Sequence, residues 1–283
     1  MNGTCALYQT ESELRESHVF PKFVVNYTKQ TGSKYLRRPI DPNKRLQDAI
    51  KLYLLSENAE QEFSIREKWF SEKIFKPYLS NIYNLNYTEE LYYFSVSFIW
   101  RALITNLRME DLSSKWYYDL VLEASEEWRQ FLANGIFPRN YHKSYMIFTD
   151  RVKSHPPGFQ GADHYFTRVM DATIVSNPEE SILFVYGKFN RFIFWIPIRE
   201  TKDNFELDDA LINPIGGEFK IPQKIDYFPL YSFIGNRIKG LGKLDLPSEE
   251  QQNKIEQEIL KNLDELWKSD LGQSLKNDID LNQ

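Results

Sequence analysis

The chain has 283 residues, 42% of them hydrophobic and 15% aromatic, which is enough apolar surface to fold as one large domain or two modest ones without disulfides. Its net charge of −5 argues against a protein that coats nucleic acid non-specifically. The single cysteine, Cys5, excludes an internal disulfide and a metal site built from several thiolates, and it fits a reducing cytoplasm.

The chain shows no sign of a secretion signal or a membrane span. Its amino terminus lacks the basic and apolar segments of a signal peptide, and no apolar run reaches the ~18 residues that a membrane helix needs. The longest run, from Ile182 to Ile198, is interrupted by Lys188, Asn190 and Arg191. This pattern indicates a β-hairpin. We therefore expect a cytoplasmic protein with no membrane partner.

Residues 1–63 are predicted to form a loop-rich module with brief strands, because Gly32, Pro39 and Pro42 punctuate short apolar runs. A helical region is predicted to follow over residues 64–140. Its first helix should run from about residue 64 to residue 76, where Ser64 and Glu67 have the spacing of a capping box.

Two more helices are predicted in the same region. Thr88 can cap a helix that continues to Leu107 and is apolar on most faces, so we expect this helix in the core. A third should begin at Ser113 or Ser114 and end at Gly135. Its apolar side chains recur at helical spacing, at Trp116, Leu120, Ala124, Trp128 and Phe131.

Residues 141–283 are predicted to be rich in β-strand, because β-branched and aromatic runs alternate there with turn signals. The candidate strands are 145–149, 173–175, 182–186, 192–198 and 218–221. A helix that Ser248 and Gln251 can cap should close the chain, with Ile255, Ile259, Leu263 and Leu266 on one face. The expected class is α+β.

Three segments of the N-terminal third resemble a family of bacterial proteins related to HNH endonucleases. They are Cys5-Ala6-Leu7-Tyr8, Glu16-Ser17-His18-Val19-Phe20-Pro21-Lys22-Phe23 and Leu54-Leu55-Ser56-Glu57-Asn58-Ala59-Glu60-Gln61-Glu62-Phe63-Ser64. The intervening Pro42-Asn43-Lys44-Arg45-Leu46-Gln47-Asp48 and the later Trp69-Phe70 and Phe75-Lys76-Pro77 are also similar to the family's pattern.

The resemblance implies a degenerate treble-clef module. In the family, the first and third segments each resemble a Cys-x-x-Cys pair, and two such pairs hold one zinc ion in place of a larger core. Only Cys5 matches, because Tyr8, Ser56 and Ala59 offer neither a thiolate nor an imidazole. We expect no structural zinc, and we expect the two segments to lie side by side with Tyr8 in the vacated volume.

The resemblance also implies positions for a nuclease site. In an active HNH site a histidine acts as general base on water, an asparagine orients it, and a divalent cation neutralises the phosphate. His18 takes the position of the base, Asn43 or Asn58 that of the orienting residue, and Glu60 that of a metal ligand. Ser17 stands where a metal-binding carboxylate is common. Magnesium is expected only if this activity remains.

Each of these residues also has a structural interpretation. A histidine beside a proline-containing loop is more often a hydrogen-bonded structural residue, and glutamates at a helix start are favoured by the helix dipole. A basic run with the single acidic residue Asp41 is predicted to contact nucleic acid, although such runs are usually solvated loops. It comprises Lys34, Arg37, Arg38, Lys44 and Arg45.

The remaining histidines, His142, His155 and His164, match no helical metal motif and are interpreted as loop residues. Two functions remain open. One is a metal-dependent nuclease of HNH descent that acts on DNA or RNA. The other is a catalytically silent binding or scaffolding component with a protein partner, and this is favoured by the loss of three of the four thiolates. HNH-like modules are frequent in bacterial defence against phage, which suggests the biological setting.

Overall fold

The first part of the chain is built from short strands and one helix, in a computed structural model that describes residues 1–38, 41–200, 205–241 and 243–282. Its elements are β1 (Asn2–Thr4), β2 (Glu11–His18), α1 (Lys22–Gln30), β3 (Leu36–Arg38), β4 (Asp41–Leu46) and β5 (Lys51–Ser56). Strands β1, β2 and β5 form an antiparallel sheet in that order, and β3 pairs with β4 as a separate hairpin.

A continuous helical stretch follows β5 directly. It comprises α2 (Glu57–Phe70), a π-helical turn (Ser71–Phe75) and α3 (Lys76–Leu79). The predicted helix start at Ser64 is therefore too late, because the side chain of Ser56 caps α2 by accepting a hydrogen bond from the Ala59 amide. The predicted boundary between residues 63 and 64 falls inside this helix.

For each of the next two helices, one end lies where it was predicted. They follow β6 (Leu85–Thr88) and are α4 (Glu89–Met109) and α5 (Tyr118–Asn134). Thr88 caps α4 as predicted, and Gly135 ends α5 as predicted, in a left-handed conformation with φ of 69°. Helix α5 begins after Ser113, because the Ser113 hydroxyl and amide both donate to the Asp111 carboxylate in a turn.

The C-terminal half contains the strands predicted for it. Its elements are β7 (Tyr145–Phe148), α6 (Ala162–Arg168), β8 (Met170–Ser176), β9 (Leu183–Phe189), β10 (Phe192–Arg199), a 3-10 turn (Asp208–Ala210), β11 (Gly216–Phe219) and α7 (Phe228–Leu241). Strands β7, β10, β9 and β8 form an antiparallel sheet in that order, and β11 pairs with β6. The hairpin predicted between residues 182 and 198 is confirmed as β9 and β10.

Helices cover both faces of this four-stranded sheet. On one face, Phe189 and Phe194 pack against Phe98 of α4, with ring centroids 5.1 and 5.6 Å away. On the other, Trp195 stacks on Tyr227 at 5.9 Å, at the start of α7. Because both faces are buried, β9 and β10 are apolar at nearly every position, unlike a strand with one solvated face.

The two halves share a hydrophobic core, and a second, smaller cluster of buried side chains lies between the four-stranded sheet and α7. A single cluster of buried side chains includes residues from all three predicted regions, among them Cys5, Phe70 and Phe194. The chain is α+β, as predicted. Among the described residues, no helix is both long enough and apolar enough to cross a membrane.

Three helices close the chain, namely α8 (Glu249–Lys261), α9 (Leu263–Lys268) and α10 (Asp270–Leu281). The side chain of Asp278 in α10 accepts hydrogen bonds from the Asp163 and His164 amides at the start of α6, both at 2.9 Å. Asp270 pairs with Arg168 at 2.8 Å and with Arg191 at 3.1 Å. Helix α10 is therefore anchored to the core, whereas no side chain of α8 is buried.

Replacement of Gly187 by alanine should destabilise the fold, because the added methyl group would lie 2.5 Å from the Phe98 ring of α4. Overpacking of this kind costs about 1–3 kcal/mol. The measurement is the free energy of unfolding in urea. Gly240→Ala is the matched control, since no described atom lies within 4 Å of the corresponding position. Equal stability of the two variants would contradict the close packing of α4 on β9.

Candidate functional site

The Cys5–Tyr8 and Ser56–Ala59 segments lie side by side, as predicted. The Ala6 amide donates to the Leu54 carbonyl at 2.9 Å, and the Ser56 amide donates to the Cys5 sulfur at 3.3 Å. Cys5 and Ala59 are both fully buried. The start of helix α2 therefore packs directly against the turn that carries Cys5.

The residues of this corner do not fit a zinc ion. Ala59 has no donor atom, the Ser56 hydroxyl caps the Ala59 amide, and the Cys5 sulfur already accepts the Ser56 amide. Tyr8 is only half-buried and lies against the edge of the core, so it covers the corner rather than filling it. The prediction that Tyr8 fills the metal volume is wrong in this respect, because Cys5, Leu7 and Ala59 occupy the interior.

Hydrogen bonds also set the state of the Cys5 thiol. Burial raises its pKa, but the Ser56 side chain and the backbone amides of Ser56, Tyr8 and Leu7 favour the thiolate. Their combined effect leaves the pKa of Cys5 below its ordinary value.

His18 lies at the carboxyl end of β2 and is held from two sides. Its Nε2 atom lies 3.1 Å from the carboxylate of Asp48, and its backbone carbonyl accepts a hydrogen bond from Arg101 at 3.0 Å. Arg101 is a buried residue of α4, and its guanidinium lies 2.7 Å from the Glu67 carboxylate in α2. The position of His18 is thus fixed by three different elements of the fold.

The Asp48 carboxylate is shared between His18 and Lys51. The Lys51 ammonium lies 2.8 Å from Asp48 and 3.7 Å from Glu16, so one cation already lies between these two carboxylates. Partial burial alone would raise the pKa of Asp48, but hydrogen bonds from Lys51 and His18 lower it to about 2. When one ring nitrogen of a histidine faces a carboxylate, the other nitrogen can accept or donate a proton. This arrangement occurs in histidines that act as general bases.

The other predicted nuclease residues do not meet at His18. In the β2–β5 ladder His18 is opposite Lys51, whereas Ser56 is opposite Leu14. At ~3.3 Å per residue, the start of α2, which carries Asn58, is roughly 15 Å along the strand from His18. Glu67 is the residue of α2 that binds Arg101 beside His18. Glu60 lies about 10 Å from Glu67 along the helix axis, toward the start of α2.

Asn43 is committed elsewhere. Its side-chain oxygen accepts a hydrogen bond of 2.7 Å from the Ser248 amide, at the start of α8. Within the described part of the chain, no hydrogen bond or ion pair joins His18 to Asn43, Asn58 or Glu60. Of the residues predicted around the base, the structure therefore places none in contact with it.

The predicted nucleic-acid residues lie on and beside the β3–β4 hairpin. Lys34 and Lys44 are exposed, whereas Arg37 and Arg45 are half-buried. Arg45 lies over the ring of Tyr35 at 4.9 Å and pairs with Glu258 of α8 at 2.9 Å. The side chain of Arg38 lies outside the described part of the structure. The basic run is therefore gathered on one hairpin, and part of it faces α8.

One of the remaining histidines is not a loop residue. His164 lies in α6, half-buried, and desolvation with the nearby Arg168 and Lys188 lowers its pKa to about 4. His142 and His155 lie outside helices and strands, as predicted. Among the described residues, no group of three or more His, Cys, Asp or Glu side chains is arranged to hold a metal ion.

Sequence reasoning did not identify the residues that hold His18. Asp48 lies within the segment that resembles the family but had no assigned role, and Arg101 is the one charged residue between Glu90 and Arg108 in α4. That isolated charge was a usable signal, since a cation inside a core helix needs buried partners. Lys51 and Glu67 gave no comparable signal, because their contacts depend on strand register and helix packing.

Comparisons of the chain with protein-family models, with curated proteins and with solved structures found no match.

Replacement of Asp48 by asparagine should lower stability at neutral pH, by about 0.5–1 kcal/mol for a partly exposed ion pair. Because the pKa of Asp48 is lowered in the folded protein, its contribution is present above the ordinary value of 3.8 and is lost as pH falls through about 2. Urea unfolding midpoints measured across this range should therefore converge for the wild type and the variant. The exposed Asp280, changed to asparagine, is the control. A constant difference at every pH would rule out this role of Asp48.

Proposed function

We propose that the protein is a non-catalytic binding or scaffolding component that has kept the architecture of an HNH-like module. The observation that carries the proposal is the environment of His18. Its Nε2 faces Asp48, its carbonyl is bound by Arg101, and Asn58 and Glu60 lie toward the other end of the ladder. A nuclease needs its base, orienting group and metal ligands within near-attack distance of one phosphate.

The charges around His18 support the same conclusion. Asp48 contacts its ring, and Lys51 lies between Asp48 and Glu16. A divalent cation would have to displace this ammonium group before it could neutralise a phosphate. The side chain of His18 is only 19% exposed, so the ring serves to join β2 to the segment before β5.

A surface suited to a protein partner lies beside α2 and the start of α4. A groove of about 260 Å³ separates the start of α4 from the segments after α5 and before β11, and aromatic side chains form much of its wall. Ile215, beside this groove, is 84% exposed, and Ile136 and Phe137 are also exposed. Exposed apolar patches with aromatic walls are typical of protein interfaces. The groove is lined by Arg66, Glu89, Glu90, Tyr92, Tyr93, Phe131, Phe137 and Pro214.

The second candidate function is a metal-dependent nuclease with His18 as general base. The contact between His18 and Asp48 favours it, because a carboxylate can fix the tautomer of a catalytic histidine. In this alternative, Lys51 leaves Asp48 when a metal ion and a substrate bind. With either function, the resemblance to HNH-related proteins extends the proposal to a role in bacterial defence against phage.

Nuclease assays distinguish the two functions. We expect no cleavage of plasmid DNA or of RNA above background in Mg²⁺ or Mn²⁺, because the described residues place no metal-ligand set beside His18. We expect His18→Ala to lower the unfolding midpoint instead, since it breaks the bond to Asp48. His142→Ala, in an exposed loop, is the control and should leave the midpoint unchanged.

The nuclease alternative predicts the opposite results in the same assays. Metal-dependent nicking that falls by roughly 10²–10⁴ in His18→Ala, with an unchanged melting temperature, would overturn the non-catalytic role. A parallel loss in Asp48→Asn would then assign Asp48 as the positioning residue.

Binding to a protein partner is tested at the groove. Ile215→Asp should abolish retention of the partner from an extract of the source cells, because it places a charge in the apolar patch. The matched control is Ile279→Asp on α10, also exposed, which should retain the partner. Equal retention by both variants would show that this groove is not the interface.

A further inference from the structure

Helix α8 lies against the basic β3–β4 hairpin, and three contacts join them. Arg45 pairs with Glu258 at 2.9 Å, Arg37 donates to the Gln251 side chain at 3.5 Å, and the Ser248 amide donates to Asn43 at 2.7 Å. These contacts link residues more than 200 positions apart in the chain. The hairpin is therefore partly covered by the chain's own C-terminal region.

The character of α8 makes this cover weak. The helix carries four glutamates and two lysines, and none of its side chains is buried. Glu258 is half-exposed, and surface ion pairs of this kind contribute only ~0–1 kcal/mol. The anchored helix α10 follows α8, so α8 can leave the hairpin while the fold stays intact.

The hairpin beneath α8 has the chemistry of a phosphate-binding surface. Arg37 and Arg45 present planar guanidinium groups, which bind phosphate and carboxylate oxygens in the same geometry. Tyr35 packs under Arg45, and an aromatic ring next to arginine is common where nucleotides bind. Lys34 and Lys44 are exposed and, within the described residues, make no ion pair. The Glu258 carboxylate thus stands where a phosphate oxygen would bind.

We propose that the β3–β4 hairpin binds the phosphate backbone of nucleic acid and that α8 occupies this surface in the free protein as an acidic cover. The cover reconciles a local basic surface with a net charge of −5, because binding requires that α8 first be displaced. This inference goes beyond the proposed binding role, since it names a second class of partner and the way in which its access is controlled.

The test measures the affinity of the full chain for a short labelled DNA duplex and for an RNA duplex of the same sequence. Glu258→Gln should raise the affinity about two- to fivefold, because it removes one surface ion pair that favours the covered state. Glu256→Gln is the matched control, with the same change of charge on the same helix and no described contact to the hairpin. Lys44→Ala should lower the affinity in either background and reduce its dependence on salt.

A disulfide between the two elements tests the cover directly. Cys5 is fully buried, so the double variant Asn43→Cys with Ser248→Cys has no competing accessible thiol. The oxidised form should bind both duplexes at least tenfold more weakly than the reduced form of the same protein. The difference between the DNA and RNA arms identifies the nucleic acid.

Four results would overturn the proposal. The first is a locked form that binds as tightly as the reduced form, and the second is equal binding by Glu258→Gln and Glu256→Gln. The third is binding of polyglutamate but of neither duplex by Glu258→Gln, which would assign the hairpin to an acidic protein. Absence of duplex binding by every form would also reject the nucleic-acid site, while the non-catalytic role of His18, measured by cleavage, would be unaffected.

Discussion

Arg101 imposes the constraint on which the N-terminal half of the structure depends. It is a cation in the middle of a buried helix, only 3% exposed, and an unpaired charge at this position would cost several kcal/mol. Its partners are the Glu67 carboxylate in α2 and the His18 carbonyl at the end of β2, and its guanidinium also lies 5.3 Å from the Phe63 ring. One side chain thus ties the N-terminal sheet and the first long helix to the core.

This tie bears on how the corner formed by Cys5 and Ser56 is held, in comparison with a small zinc-binding module. In a free-standing module, the metal holds together two segments that bury too little apolar surface to stay folded. Here the segments at Cys5 and Ser56 are held by backbone hydrogen bonds, by the cap of α2 and by packing of α2 on α4. The same helix packing limits the freedom of His18, whose ring and carbonyl are both occupied. Hydrogen bonds and packing therefore join the N-terminal sheet to α2 and α4.

Local signals predicted much of the fold, and non-local contacts account for what they missed. Thr88 and Gly135 mark helix ends through their own backbone chemistry, and the apolar runs of β9 and β10 identify a buried hairpin. Helix α1 was not predicted because Pro21 precedes it without a side-chain cap. The start of α2 was missed because Ser56 was considered as a vestigial ligand and not as a cap.

At the candidate site, too, local signals predicted some features and non-local contacts determined the others. The adjacency of Cys5 and Ser56 followed from the spacing of two short segments, whereas the partner of His18 depends on the β2–β5 register, and its carbonyl partner lies 83 positions away on α4. The contact between α8 and the hairpin joins residues that no periodicity relates. Sequence patterns indicate which residue types are present, but long-range pairing determines which of them meet.

The central claim, that protein contacts hold this corner without a metal, is tested most directly by the zinc content and thermal stability of the purified 283-residue chain before and after dialysis against a strong chelator. The account predicts less than stoichiometric zinc throughout and an unchanged melting temperature, because Ser56 and Ala59 are engaged in the cap of α2. One zinc ion per chain, with a melting temperature that falls when it is removed, would contradict the account.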